Sequence, residues 1–580
     1  MTAPGARTST SPAAAPAAPP GSGPHDRRLP DGFAVRLDRR TRRIDGGAAL
    51  LGGAPPRLVH LSSTARRLLP GPGAPLVVTT PTRRALARTL LDAGLAHPDA
   101  LAIAGAGPSD TRGAPATPGN PATPGGPADP GVPPGPAAPV AARPAEATVV
   151  VPVKDRPLDR LLDALGPVGW GPDAIGGLVV VDDGSRDPEP LRRAVSTAGG
   201  TVLRHDTARG PAAARNAGLA AARTPFVVFL DSDVVPEPGW LAPLLAHLAD
   251  PAVALVAPRI VALDPERGGG VRGAIGRYEA VRSSLDLGTD PALVVPRSRV
   301  AYVPSAAMLV RVDAVTAASG AGDSAASGAG DSAASGAGDS AASGAGDSAA
   351  SGAGQAFDPD MHVAEDVDLV LRLHAAGWAM RFEPASRVAH DHRTRPGEWL
   401  RRKAFYGTGA APLAQRHPGA VPPVVLSPWT AAVCLLLLAG RRGATAVAAV
   451  VTAVAAERLS RKLTRLEHPR RTAARLTALG LSGALWQTAS ALTRHFWPVA
   501  AVLLPFSARA RRAVAVAAVV EGVADWWLHR GRDPRVRVGP VTHLVLHRLD
   551  DLAYGAGLWW GAWRRRTTAP LRPGGPGARR

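Results

Sequence analysis

The sequence predicts an α/β protein built on a doubly wound, mostly parallel sheet, preceded by a small α+β unit and followed by an apolar, basic helical tail. Three observations carry that expectation. Uninterrupted Val and Leu runs, among them "ATVVVPV", "GGLVVVDDG" and "PFVVFLDSD", recur from Ala147 onward, as strands covered on both faces require. Segments of helical spacing, "RPLDRLLDAL" and "GPAAARNAGLAAA", alternate with them. Net positive charge is confined to the end of the chain: Arg401 to Arg580 holds 28 Lys or Arg against 7 Asp or Glu, so the first 400 residues are nearly neutral within a total of +20.

A chain of 580 residues exceeds one ordinary core, and 64 Gly with 59 Pro against 4% aromatics excludes a single globule of average composition. The lone Cys434 excludes an internal disulfide framework and a cysteine-built metal site. Residues 1–31 are Ala, Pro, Gly and Ser without the apolar core of a signal peptide, and read as a disordered leader. Residues 32–98 alternate like short strands and then carry Ala and Leu at helical spacing, a small α+β unit. A Pro/Gly-rich linker covers 107–144, and the doubly wound unit covers 147–401. Within it, 317–354 repeats the octapeptide "AASGAGDS", which has no large apolar residue and reads as a solvated loop whose deletion leaves activity nearly intact.

The tail, 402–580, has an uncharged stretch from Val421 to Gly440 just long enough to cross a bilayer and a shorter run from Gly443 to Ala456. Further apolar runs follow at Leu476 to Thr493, Phe496 to Ala508 and Leu552 to Trp563. Arg441, Arg442, Arg458, Arg461, Lys462 and Arg465 flank the first two. Basic residues between apolar runs suit a membrane surface better than nucleic acid. Spanning, lying along the surface and ordinary helix burial all fit such runs.

Acidic residues at strand ends supply the chemistry. Asp155 follows the first strand, Asp182 and Asp183 end the second, and Asp231 and Asp233 flank Ser232 after a buried strand. Singly, each fits a helix cap or a turn. Together, and with both DSD side chains leaving an extended segment on one side, they suit Mg or Mn, which screens a diphosphate leaving group. Attack by a sugar hydroxyl needs a carboxylate base, for which Asp366 is the choice, with Glu365 its neighbour on the acceptor side. Asp368 and Arg372 are spaced for a surface ion pair. Trp378 fits either a sugar-stacking ring or core packing.

The series Asp155, Asp182-Asp183-Gly184-Ser185, Arg215-Asn216, Asp231-Ser232-Asp233 and Glu365-Asp366 resembles that of the inverting, nucleotide-sugar-dependent glycosyltransferases of family two, which have the GT-A fold. The resemblance covers about Ala147 to Arg401. It implies that Asp155 and Asp182, with Asp183, hold the nucleotide base, that Arg215 lies beside the nucleotide, and that Asp231 approaches the ribose and donor sugar. It places Asp233 on the metal, Asp366 as catalytic base, and His390 of "RVAHDHR" at the metal or diphosphate. No QxxRW-type motif follows, and Arg401, Arg402 and Lys403 do not replace it, which speaks against processive synthesis.

Beyond that unit, "GFAVRLDRRTRRIDGGAALLGGAPPRLVHLSSTARRLL" running into "ATVVVPVKDRP" is similar to the mycofactocin-system glycosyltransferases of actinobacteria. This implies transfer of a hexose, glucose from UDP-glucose, to the peptide-derived redox cofactor mycofactocin or its precursor. The competing expectation is a cell-wall glycan or lipid-linked sugar acceptor. By pattern alone, the small unit is similar to winged-helix modules that bind precursor peptides. The expected location is the cell membrane, with the catalytic unit on the cytoplasmic side.

Overall fold

A computed structural model describes residues 27–104, 141–166, 174–318 and 355–575. Nearly all of the expected leader, most of the linker and the octapeptide array lie outside the described residues.

The small unit contains β1 (Ala34–Leu37), β2 (Arg42–Ile44), β3 (Ala49–Gly52), β4 (Arg57–His60), β5 (Leu76–Val77) and β6 (Ala96–Pro98). They form two antiparallel three-stranded sheets, β5-β1-β6 and β2-β3-β4. The helix Pro81–Asp92 starts where Thr80 accepts a hydrogen bond from the Arg83 N–H and proline occupies the first turn. Its buried Leu90 and Leu91 join Leu29, Phe33 and Leu50 in a core that also takes in Ala246 of the helix Leu241–His247. The small unit is therefore seated on the main domain, and a buried pair, Arg88 to Asp250 at 2.6 Å, ties the two.

The main sheet comprises β7 (Ala147–Val153), β8 (Gly177–Asp183), β9 (Thr201–His205), β10 (Phe226–Leu230), β11 (Val234–Pro236), β12 (Val253–Ala262), β13 (Ala292–Leu293), β14 (Ala307–Arg311) and β15 (Ala379–His390). Its order is β11-β15-β12-β14-β10-β7-β8-β9, with β13 on β15. β7, β8, β9, β10, β12 and β15 run one way, while β11, β13 and β14 are reversed. The sheet is thus mostly parallel, as expected, but interrupted at its centre by β14. Strand alternation sends Val149 and Val151 into one core and Val150 into the other, which is why these runs are apolar throughout. The carboxyl ends of β7, β8 and β10 and the start of β14 share one edge, and the site is built there.

The boundary expected at residue 401 falls inside the helix Pro396–Thr408. That helix crosses the tail helix Pro540–Arg564 at backbone contact. A Cβ on Gly407 would lie 2.1 Å from the Tyr554 carbonyl oxygen, and one on Gly557 would lie 1.7 Å from that of Ala404. The expected bilayer-length stretch Val421 to Gly440 is also corrected: its helix is Pro428–Leu438, 11 residues or about 16 Å. Among the described residues the helix long and apolar enough to cross is instead Arg442–Ser460, 19 residues or about 28 Å.

Candidate active site

Arg215 organises the site. It lies on the helix Pro211–Ala221, buried, with Nη2 donating to Asp231 Oδ1 at 2.6 Å and Nη1 donating to Glu365 Oε1 at 2.9 Å. One guanidinium thereby joins the end of β10 to the first turn of the helix Glu365–Ala375. Ala364, just before that helix, sits at φ +66°, a left-handed conformation that costs an alanine strain. The Ser305 hydroxyl donates to Glu365, and the Ser305 N–H donates to Asp366 Oδ2 at 3.0 Å. Asp231, Asp233, Glu365, Asp366 and His390 all line one cavity of about 1870 Å³.

The DSD segment is a turn rather than extended: the Val234 N–H donates to the Asp231 carbonyl, and the Asp231 N–H donates to that of Ala306. Convergence of the two carboxylates comes from this turn. Burial, and the neighbouring Asp231 charge, push the Asp233 carboxyl up to about 6. Arg156 Nη1 and His390 Nε2 each stand 3.5 Å from it. His390 is held neutral, its pKa lowered to about 4 by burial, and its Nδ1 lies 3.2 Å from His392 Nδ1.

Asp366 lies deep in the fold yet remains open to the cavity. Burial, reinforced by the Glu365 charge, pushes its carboxyl up to about 7, against the lowering effect of the Ser305 and Val367 N–H groups. A carboxylate with that affinity suits proton abstraction near neutral pH.

The remaining expected residues divide. Asp183 lines the cavity and accepts from the Arg209 and Gly210 N–H groups, both at 2.8 Å. Asp182 does not reach it: the side chain is fully buried, accepting from the Ser185 N–H and from Arg204. Adjacent strand residues face opposite ways, so only one Asp of the pair can point to the cavity. Asp155 sits just outside the lining, capping the Arg186 N–H at 2.9 Å. Trp378 is core, packed with Phe382 and Leu373 away from the cavity, so of its two expected roles the sugar-stacking ring is corrected to core packing. Glu365 is committed to Arg215 and Ser305 and so positions rather than receives. Asp368 and Arg372 do pair, at 2.8 Å, but Asp368 is buried and also takes His417.

Residues 148–296 match Glycosyl transferase family 2, and residues 226–505 match Glycosyl transferase family group 2. The pre-mycofactocin glycosyltransferases of Mycobacterium tuberculosis, strains CDC 1551 / Oshkosh and H37Rv, are each 40% identical over 553 residues, 94% of this chain and 98% of theirs. The chain belongs to the pre-mycofactocin glycosyltransferases of family 2. Succinoglycan biosynthesis protein ExoU of Rhizobium meliloti is 31% identical over 150 residues, 25% of this chain and 42% of its own. Among solved structures, mannosyltransferase PcManGT from Pyrobaculum calidifontis, in complex with GDP-Man and Mn2+, aligns over 59% of this chain and 88% of its own with 20% identity and a TM-score of 0.32.

In this transferase the donor set fits a divalent cation. Two carboxylates and a neutral imidazole face one space, and hard oxygens with one nitrogen suit Mg or Mn. Asp233, Asp231 and His390 would hold the ion, which when bound would screen a diphosphate. Among the described residues another potential ligand group, Glu521, His547 and Asp551, lies in the tail. Arg548 contacts both of its acids, and Arg494 is 3.0 Å from Asp551, so its charge is already met.

Sequence reasoning missed Tyr302, Ser305, Arg402, Tyr406 and Tyr554, all of which line the cavity. Arg402 is near enough to Asp231 and Asp233 for their charges to raise its pKa. The arginine set aside for want of a recognisable motif therefore does face the donor side.

Proposed function

We propose that this transferase moves glucose from UDP-glucose, with inversion, onto pre-mycofactocin, using Mg or Mn. The observation that carries the reading is Arg215 bridging Asp231 and Glu365, which sets Asp366 in the same cavity as the DSD carboxylates. Asp366 takes the proton from the acceptor hydroxyl as its oxygen bonds to the anomeric carbon and the UDP oxygen departs. Asp183 approaches the nucleotide and Arg402 the diphosphate. A single displacement by one base turns an α-linked donor into a β-linked product. The acceptor follows the 40% identity to the pre-mycofactocin enzymes over nearly their whole length.

The test is incubation of the full chain with UDP-glucose, Mn and pre-mycofactocin. The expected result is a hexose mass increment with a β anomeric proton; an α product rules out the single displacement, and no product rules out this donor and acceptor pair.

The tail is proposed to dock on a membrane, with the catalytic unit on the cytoplasmic side. Helix Arg442–Ser460 is apolar yet only 11% of its most apolar window is buried. Val516 and Val520 of the helix Ala508–His529 are also exposed, beside arginines at its start, and Trp527 and Leu528 are exposed at its other end, by the cavity. A large exposed apolar surface rimmed by Arg suits anionic lipid. The full chain should float with vesicles containing phosphatidylglycerol, and replacing Val516, Val520 and Trp527 together by Ser should reduce the floated fraction severalfold; equal flotation refutes docking through that helix.

A further inference from the structure

The cavity is larger than a single small-ligand site of about 300–1000 Å³ requires, and its walls are not alike. The donor side is lined by carboxylates, His390 and Arg402. Tyrosine rings line the cavity as well, and one of them, Tyr406, adjoins Arg402. The chain contains only four tyrosines, and three of them, Tyr302, Tyr406 and Tyr554, line this one cavity; the fourth, Tyr278, is fully buried elsewhere.

Two of the rings are held by arginines, and the third stands in the loop that touches the base. Tyr302 belongs to the segment whose Ser305 N–H binds Asp366, so it lies three residues from a direct contact with the base. It is 37% exposed, and that exposure is to the cavity. Tyr406 accepts a hydrogen bond from Arg402 Nε at 3.0 Å, with that guanidinium 5.0 Å from its ring centre. Tyr554 is stacked on Arg494, 3.8 Å from guanidinium carbon to ring centre, and meets the edge of His495 at 5.8 Å. Arg494 is held in turn by Asp551. The glycine crossing at Gly407 and Gly557 sets the helix bearing Tyr554 against the helix bearing Tyr406 with no slack. The charges of Asp366, Arg494, Tyr406 and Tyr554 all act on the Tyr302 hydroxyl, whose pKa burial pushes up to about 12.

We propose that Tyr302, Tyr406 and Tyr554 form the acceptor platform of the transferase, rings in the cavity of Asp366 that hold a hydroxyl-bearing ring of the acceptor. The inference rests on Asp366 being the base. It makes the tail helix Pro540–Arg564 part of the binding site, since that helix supplies Tyr554. Ring faces recognise either the acceptor's own ring or a sugar already attached to it.

The test uses the full chain with UDP and Mn, titrated by calorimetry with pre-mycofactocin and separately with its monoglucosylated form. Tyr554→Ala should weaken at least one acceptor about tenfold, and Tyr554→Phe should restore it to within about threefold, with UDP affinity unchanged. Loss for pre-mycofactocin alone assigns the platform to the acceptor's own ring; loss for the glucosylated form alone assigns it to the sugar. Tyr302→Ala, in a loop outside the helix crossing, should weaken the same acceptor and serves if Tyr554→Ala does not fold. Unchanged acceptor binding in the folded variants overturns the platform, as does a parallel fall in UDP affinity. A parent chain that binds UDP but neither acceptor overturns the acceptor assignment itself, and the platform with it.

Discussion

Asp366→Asn should abolish transfer, lowering the rate by about two to four orders of magnitude, while UDP binds as it does to the parent. The asparagine keeps an oxygen to accept the Ser305 N–H but has no basic form. Because burial and Glu365 raise the Asp366 carboxyl to about 7, the parent rate should climb with pH through that value and then level, since the unprotonated form is the reactive one. Ionising this group inside the fold costs stability, so its contribution to folding is fully present below its ordinary value of 3.8 and is lost as pH rises through about 7. The asparagine variant should therefore be no less stable than the parent at pH 8. Rate measurements across pH 5.5 to 8.5, with thermal unfolding of both proteins, check all three; undiminished transfer by the variant removes Asp366 as base.

Asp233→Ala should strip the site of its cation. Burial, and then the Asp231 charge, raise the proton affinity of Asp233 against the opposing charges of Arg156 and Arg402, so a cation bound there would relieve the crowding of the two acids. Removing one leaves Asp231, already engaged by Arg215, and a neutral His390. Binding of Mn to the UDP complex, followed by the electron paramagnetic signal of free Mn, should weaken by about two to three orders of magnitude. Retained tight Mn binding would falsify the assignment of Asp233 as the principal ligand.

Much of this site is legible in the residues because the chemistry sits at strand ends. β7, β8 and β10 announce themselves as Val and Leu runs, and each delivers its acids to one edge of the sheet. The choice between Asp182 and Asp183 needed the facing of β8, which a pair of identical neighbours does not reveal. Trp378 follows a glycine at the end of an amphipathic helix, where a surface ring and a core ring look alike. β14 is a short apolar run that carries no sign of its direction, and β15 is broken by polar residues, so the reversal at the sheet centre left no pattern to read. Tyr554 is beyond any local signal: it lines the cavity of Asp366 only because distant helices touch backbone to backbone.

The crossing at Gly407 and Gly557 also bears on how this enzyme is dissected. A recombinant fragment that stops at residue 401 would lack one wall of its reaction chamber and expose the face that the last long helix protects. The minimal working protein is therefore longer than the portion that carries the acids, and it ends after residue 564.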